Sequence, residues 1–301
     1  PAPGGLIGAA GGQLVCPWER NGWAGLYAVS SSGGAAQPLA AGSFEVETVE
    51  LDAASGELLV VSNQDDIDRR HVWRVPVDGS APAERVGEGD WIEWAPAYVD
   101  GGVAYLRSGA TVPAHDVVDR SGGEVGELGG SVPADYPSAA MVEPEQVIFP
   151  GADGLPIHGQ LFLPPDREPG ERHPAVLFFH GGSRRQMLLG FHYMGYYHHA
   201  YALNQVLAAR GYVVLSVNYR SGTGYGLEFR EALNYGASGA SEFNDVLGAG
   251  LWLRARDDVD PHRIGLWGGS YGGYLTAMGL ARASDLFAAG VDIHGVHDWN
   301  D

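Results

Sequence analysis

Cysteine is almost absent: Cys16 is alone in 301 residues, so no disulfide can close within the chain, and the redox compartment stays open. No apolar run approaches the roughly 18 consecutive residues that a membrane-crossing helix needs, so none is expected. Positive charge is scarce, with 18 Lys and Arg against 37 Asp and Glu and a net charge of −19. That balance disfavours nucleic acid or an anionic membrane as a partner. The opening Pro1-Ala-Pro-Gly-Gly5 has neither an initiator Met nor a signal-peptide pattern, which suggests a processed or shortened chain. Cytoplasmic and exported settings both remain open. What is present is a globular composition, 45% hydrophobic and 18% charged, in a chain long enough for two domains.

Residues 14–108 read as all-β. Short apolar stretches such as Leu26–Val29, Leu58–Val61, Val72–Val75 and Val103–Leu106 alternate with turns rich in Gly, Asp and Ser. The pattern recurs: Tyr27 to Trp73 and Gly33 to Gly79 are both 46 residues apart. A repeat of that length with several short strands points to propeller blades, a sandwich with two similar hairpins being the alternative. Two blades cannot close a propeller. Residues 110–142 read as a Gly-, Pro- and Ala-rich connector.

From residue 142 the pattern changes. Residues 142–149 and 154–163 read as a hairpin, followed by apolar strands at Ala175–Phe179, Val213–Val217, Arg263–Trp267 and Phe287–Ile293. Helices are expected over His199–Arg210, closed by Gly211, over a stretch beginning at Ser241 or Asn244 and ending at Ala255, and over Tyr271–Ala283. Strands alternating with helices give a doubly wound α/β sheet.

Residues 268–272, Gly-Gly-Ser-Tyr-Gly, carry the G-x-S-x-G pattern between a strand and a helix. In that setting the serine sits on a sharp turn and becomes an exposed nucleophile. Ser270 is therefore the catalytic candidate, and the N–H of Tyr271 the first expected oxyanion donor. The second is expected from the glycine loop His180-Gly181-Gly182, with Gly182 preferred to Gly181, and His180 is expected to orient that loop. Asp292, His294, His297 and Asp298 follow Ser270 by only 22 to 28 residues, which is too close for the usual order of Ser, Asp and His on this fold. No residue pattern suggests a metal or a nucleotide cofactor.

Three stretches carry a family resemblance: Phe178–Gly182, Arg210–Gly226 and Asp260–Tyr274. Through them the chain resembles the prolyl oligopeptidase family of serine peptidases, in its dipeptidyl-peptidase and acylaminoacyl-peptidase branches. The resemblance implies an N-terminal propeller, a C-terminal α/β-hydrolase domain and an active site between them. On that pattern residues 1–141 would be C-terminal blades plus connector, and residues 142–301 the N-terminal part of the hydrolase domain, a partial doubly wound sheet. It also implies that the chain is a fragment lacking its C-terminal part. The catalytic Asp and His would then lie on a remaining segment, supplied as a separate chain, without which this one would be inactive. The implied substrate is a short peptide, and Val296 and Trp299 would line a pocket for Pro or a small apolar residue. The paired Glu motif of the dipeptidyl branch is not found. An esterase or lipase, or a non-catalytic binding propeller, are the alternative functions. Arg184 and Arg185 could meet a substrate carboxylate or an acidic side chain of the chain itself.

Overall fold

The computed structural model describes residues 7–52, 54–120, 124–129, 132–238 and 240–300. The Pro1–Gly5 opening lies outside them. The chain divides into two units, Pro1–Tyr136 with Gly224–Glu228, and Pro137–Thr223 with Phe229–Asp301.

The first unit holds three four-stranded antiparallel meanders. The first is β1 (Gly8–Ala10), β2 (Gln13–Trp18), β3 (Gly25–Ser30) and β4 (Gln37–Ala40). The second is β5 (Val46–Asp52), β6 (Glu57–Ser62), β7 (His71–Pro76) and β8 (Glu84–Arg85). The third is β9 (Ile92–Val99), β10 (Gly102–Ser108), β11 (His115–Arg120) and β12 (Glu124–Glu127). Tyr27 and Trp73 lie in β3 and β7, the third strands of successive sheets, which accounts for the 46-residue spacing. The stretch read as a connector contains β11 and β12, so the region carries a third sheet. The β1–β2 turn is Gly11-Gly12, both at positive φ (55° and 76°), as a two-residue turn matched to strand twist requires. Strand β6 shows the layering most clearly. Leu58 and Val60 join one buried cluster with Val15, Leu26 and Trp73, while Leu59 and Val61 join another with Val72, Val103 and Val117. Alternate residues of one strand thus feed cores on its two faces, as in a propeller-like stack. Residues Gly224–Glu228 complete this unit. Glu45 accepts the N–H groups of Gly224 (2.9 Å) and Gly226 (3.0 Å), and Asn63 donates to the Gly224 carbonyl (2.8 Å).

The second unit is built on a six-stranded sheet ordered β13-β14-β16-β15-β17-β18. Its strands are β13 (Glu145–Pro150), β14 (Pro156–Phe162), β15 (His173–Phe179), β16 (Val213–Asn218), β17 (Val259–Gly269) and β18 (Ala289–Ile293). The β13–β14 hairpin pairs antiparallel, β14 meets β16 antiparallel, and the remaining pairs are parallel. Its helices are α1 (Gly195–Ala209), α2 (Leu227–Arg230), α3 (Phe243–Arg254) and α4 (Tyr271–Arg282). This is an α/β-hydrolase-like sheet following a propeller-like all-β region. From β15 the chain crosses through α1 to β16. It then returns through α3 to β17 on the other side of β15, and continues through α4 to β18. Right-handed crossovers in opposite directions place α1 on one face and α3 with α4 on the other. The direction reverses between β15 and β17, and the crevice beyond the carboxyl ends of those two strands is where such sheets bind ligands.

Candidate active site

Ser270 occupies that crevice. It follows β17 and precedes α4 with φ 56° and ψ −118°, a conformation an L-residue rarely adopts. Two backbone bonds hold it: its N–H donates to the Ile293 carbonyl of β18 (2.9 Å), and its carbonyl accepts from the Tyr274 N–H (3.0 Å). The flanking glycines are required by β15. A Cβ on Gly272 would lie 1.9 Å from the Phe179 carbonyl oxygen, and one on Gly268 would lie 2.6 Å from that same atom. Gly269 leaves room for a hydroxyl, since a Cβ there would meet the Tyr196 Oη at 2.1 Å.

The glycine loop after β15 lies beside the serine. A Cβ on Gly181 would be 3.4 Å from the Ser270 Cβ, and Gly182 has φ 120°, open to glycine alone in practice. Behind the loop, His180 is fully buried and stacks on Tyr219 at 4.2 Å, and Tyr219 stacks in turn on Tyr271 at 6.0 Å. The Tyr219 hydroxyl donates to the His180 carbonyl (2.7 Å). Burial pushes the His180 imidazole down to about 4, so it is neutral near pH 7. A neutral ring whose Nδ1 faces the Gly181 carbonyl at 2.9 Å must donate there. His180 is thereby engaged with its own loop.

A cleft of about 690 Å³ opens alongside, lined among others by Gly182, Ser183, Arg184, Tyr235, Tyr271 and Trp299. Arg184 is occupied by the protein itself. It donates to Glu231 Oε2 and the Tyr235 hydroxyl (both 2.9 Å) and to the Arg230 carbonyl, with its guanidinium 4.8 Å from the Tyr235 ring centre. Arg185 donates to the Arg184 carbonyl (2.7 Å). The aromatic-rich insert after the loop turns inward, with Phe191 and Leu188 buried and Phe191 against Tyr201 at 4.8 Å.

Downstream of Ser270 the chain is more open. Trp299 is 44% exposed, edge-on to Tyr271 (5.9 Å) and Tyr274 (5.7 Å), and Val296 is also exposed. Asp292 Oδ2 pairs with His297 Nε2 at 2.6 Å, and Asp292 Oδ1 accepts the Gly295 N–H at 2.8 Å. Among the described residues, neither His294 nor His297 hydrogen-bonds Ser270. Among those residues there is also no group of three His, Cys, Asp or Glu side chains that could hold a metal, and no helix long and apolar enough to cross a membrane.

Sequence reasoning missed Glu242, which is buried and accepts hydrogen bonds from the Tyr271 hydroxyl (2.6 Å) and the Ser221 hydroxyl (2.8 Å). Ser241 and Asn244 were the expected helix starters, yet the cap position of α3 is Glu242, with no side-chain cap bond. An acidic residue just before an apolar helix reads as a cap, and no local signal marks it as a partner of Tyr271, 29 residues on.

Strand, strained serine and glycine loop are the elements by which hydrolases of this kind are recognised. Residues 198–301 match the prolyl oligopeptidase family. Human dipeptidyl peptidase 8 is 36% identical over 149 residues, which cover 49% of this chain and 16% of that protein. Dipeptidyl aminopeptidase BIII of Pseudoxanthomonas mexicana is 41% identical over 127 residues, covering 42% of this chain and 17% of its own. The crystal structure of Porphyromonas gingivalis dipeptidyl peptidase 4 superposes with a TM-score of 0.80 at 25% identity, over 98% of this chain and 41% of that one. The chain thus spans less than half the length of these relatives.

The family match corrects three linked expectations. These were a fragment lacking the C-terminal part, an inactive chain, and a separate chain supplying the Asp and His segment. The matched residues run from 198 through Ser270 to 301, so the catalytic-domain region lies in this chain. Physically, β17, the elbow, α4 and β18 are all formed, and an Asp–His pair of the chain's own, Asp292 with His297, stands downstream of the serine.

Proposed function

We propose that the chain works as a serine peptidase acting on short peptides through an acyl-enzyme on Ser270. The observation that carries this reading is the positive-φ serine at the β17–α4 elbow, set against a glycine loop at the sheet's switch point. Ser270 Oγ attacks the scissile carbonyl as an imidazole removes its proton, and the same imidazole protonates the leaving amine. The N–H groups of Gly182 and Tyr271 receive the oxyanion, each such donor being worth about 2.7–4 kcal/mol. Water repeats the sequence and releases the acyl group. On the acyl side, Tyr271, Val296 and Trp299 offer an aromatic and apolar lining suited to Pro or another compact apolar side chain. Dipeptide release and removal of an acylated residue are both compatible with this lining.

A fluorophosphonate probe tests the nucleophile. Labelling should be lost in Ser270→Ala, with peptide turnover falling by up to about 10⁶-fold. Retained labelling in that variant would remove Ser270 from the mechanism. Peptide and ester substrates of matched acyl group separate a peptidase from an esterase. Alanine at His294 and at His297, each assayed alone, reads whether either imidazole carries the proton.

A further inference from the structure

We infer that Glu242 is a positioning residue for the acyl-side cleft: its buried carboxylate fixes the Tyr271 ring and the facing loop, and so sets which acyl side chains the cleft accepts. This rests on the reading of Ser270 as the nucleophile. Glu242 is fully buried, and its carboxylate collects donors from three separate elements. The Tyr271 hydroxyl comes from the first residue of α4, at 2.6 Å. The Ser221 hydroxyl comes from the bend after β16, at 2.8 Å. The Gly236 N–H comes from the loop lining the cleft, 3.2 Å from Oε1 and 3.3 Å from Oε2. A buried carboxylate is costly unless donors surround it, and bonds to a charged acceptor are the stronger kind.

Each donor belongs to something the cleft needs. Tyr271 follows the nucleophile, and its ring is part of the cleft wall. The ring contacts Tyr219, Tyr274 and Trp299, and the hydroxyl bond to Glu242 holds its far end. Burial and Glu242 together push the Tyr271 phenol well above its usual range, so it stays a donor. Gly236 has φ 68° and lies near the end of the lining loop, which runs from Glu231 to Ala237. Arg184 grips the start of that loop, through the Arg230 carbonyl and Glu231, while Glu242 grips its end. The two grips meet at Ser221, which sits at φ 68°. Its hydroxyl donates to Glu242, and its carbonyl accepts from Arg184 at 3.4 Å. Both the wall beside the serine and the wall opposite are thus referred to one carboxylate.

The test uses the full chain as wild type, Glu242→Gln, Tyr271→Phe and the double variant. Gln keeps the size of the side chain but turns one oxygen into an amide donor, which would face the Gly236 N–H. Two peptidyl phosphonates, one with Pro and one with Phe at the acyl-side position, report the rate of Ser270 labelling, and melting is recorded in parallel. Discrimination between the two probes should fall about tenfold in each single variant and no further in the double, because Gln replaces the charged acceptor of the Tyr271 hydroxyl by a neutral one and Phe removes its donor, so both act on the same bond. A residue that only supports the fold would lower melting without changing that ratio. Unchanged discrimination in Glu242→Gln, or losses that simply add in the double variant, would overturn the inference. If Glu242→Gln does not fold, Tyr271→Phe alone decides, and unchanged discrimination there overturns it as well. Failure of wild type to label with either phosphonate would instead refute the nucleophile.

Discussion

The two sides of the β15–β17 crevice are held by different means. On the β15 side, His180 and Tyr219 are fully buried and Gly272 lies against the Phe179 carbonyl, so the glycine loop is backed by core packing. On the downstream side, residues 294–300 are mostly exposed and tied by short local bonds, such as Asp292 to Gly295 and Asp298 to Asn300. The first side is dictated by core packing, so its geometry and its stability are one property. The second side can change shape at little cost to the fold. On the proposed function, specificity is expected to vary by substitution at Val296 and Trp299, and the placement of the Gly182 and Tyr271 N–H groups to tolerate almost none.

The sharpest way to break this contrast is a single methyl group. Gly272→Ala puts a Cβ 1.9 Å from the Phe179 carbonyl oxygen, so the elbow or β15 must move. A loss of about 3 kcal/mol or more is expected by denaturant titration, at the upper end for overpacking. A near-neutral result would mean that the packed side is as yielding as the open one. A comparable loss is expected from acid. The His180 imidazole titrates near 4 when folded and near 6.5 ordinarily. Below pH 6.5 the unfolded chain takes up a proton that the folded chain refuses. His180 therefore contributes stability that is full above about pH 6.5 and is lost as the pH falls towards 4, by up to about 3 kcal/mol. His180→Phe keeps the stack on Tyr219, and its stability should fall less steeply over that window. On the open side, Trp299→Ala should shift stability by less than about 1 kcal/mol, as at other surface positions. It should still reduce kcat/KM for a Pro-type substrate about tenfold if the ring lines the acyl pocket. Calorimetry and kinetics on the same sample separate the two effects.

Much of the packed side was legible. The apolar run Ala175–Phe179, the glycines at 181 and 182, and the serine flanked by Gly268 and Gly272 each have a meaning fixed by local geometry. The third sheet of the first unit was not, because Glu124–Glu127 has one apolar residue in four and its neighbours are turn formers. Strand β18 was expected, as part of an apolar run over Phe287–Ile293, yet four of its five residues are exposed. Composition reports what a strand could cover, and burial depends on which neighbour packs against it. Glu242 was invisible for a related reason. Its partners Ser221, Gly236 and Tyr271 are brought together only when β16 and β17 have joined one sheet and α3 has packed against it, and no spacing along the chain encodes that meeting.

The five residues Gly224–Glu228 carry a consequence for the order in which the protein is made. Glu45 leaves the ribosome well ahead of its Gly224 partner, which lies 179 residues later. At ordinary rates of synthesis that interval is roughly 10–35 s. Through all of it, a carboxylate that receives two backbone N–H groups in the folded chain is without them, and the three meanders stand without their last five residues. The earlier of the two units is therefore not finished when its own strands have been made. Its completion waits until four of the six strands of the sheet carrying the serine have been written.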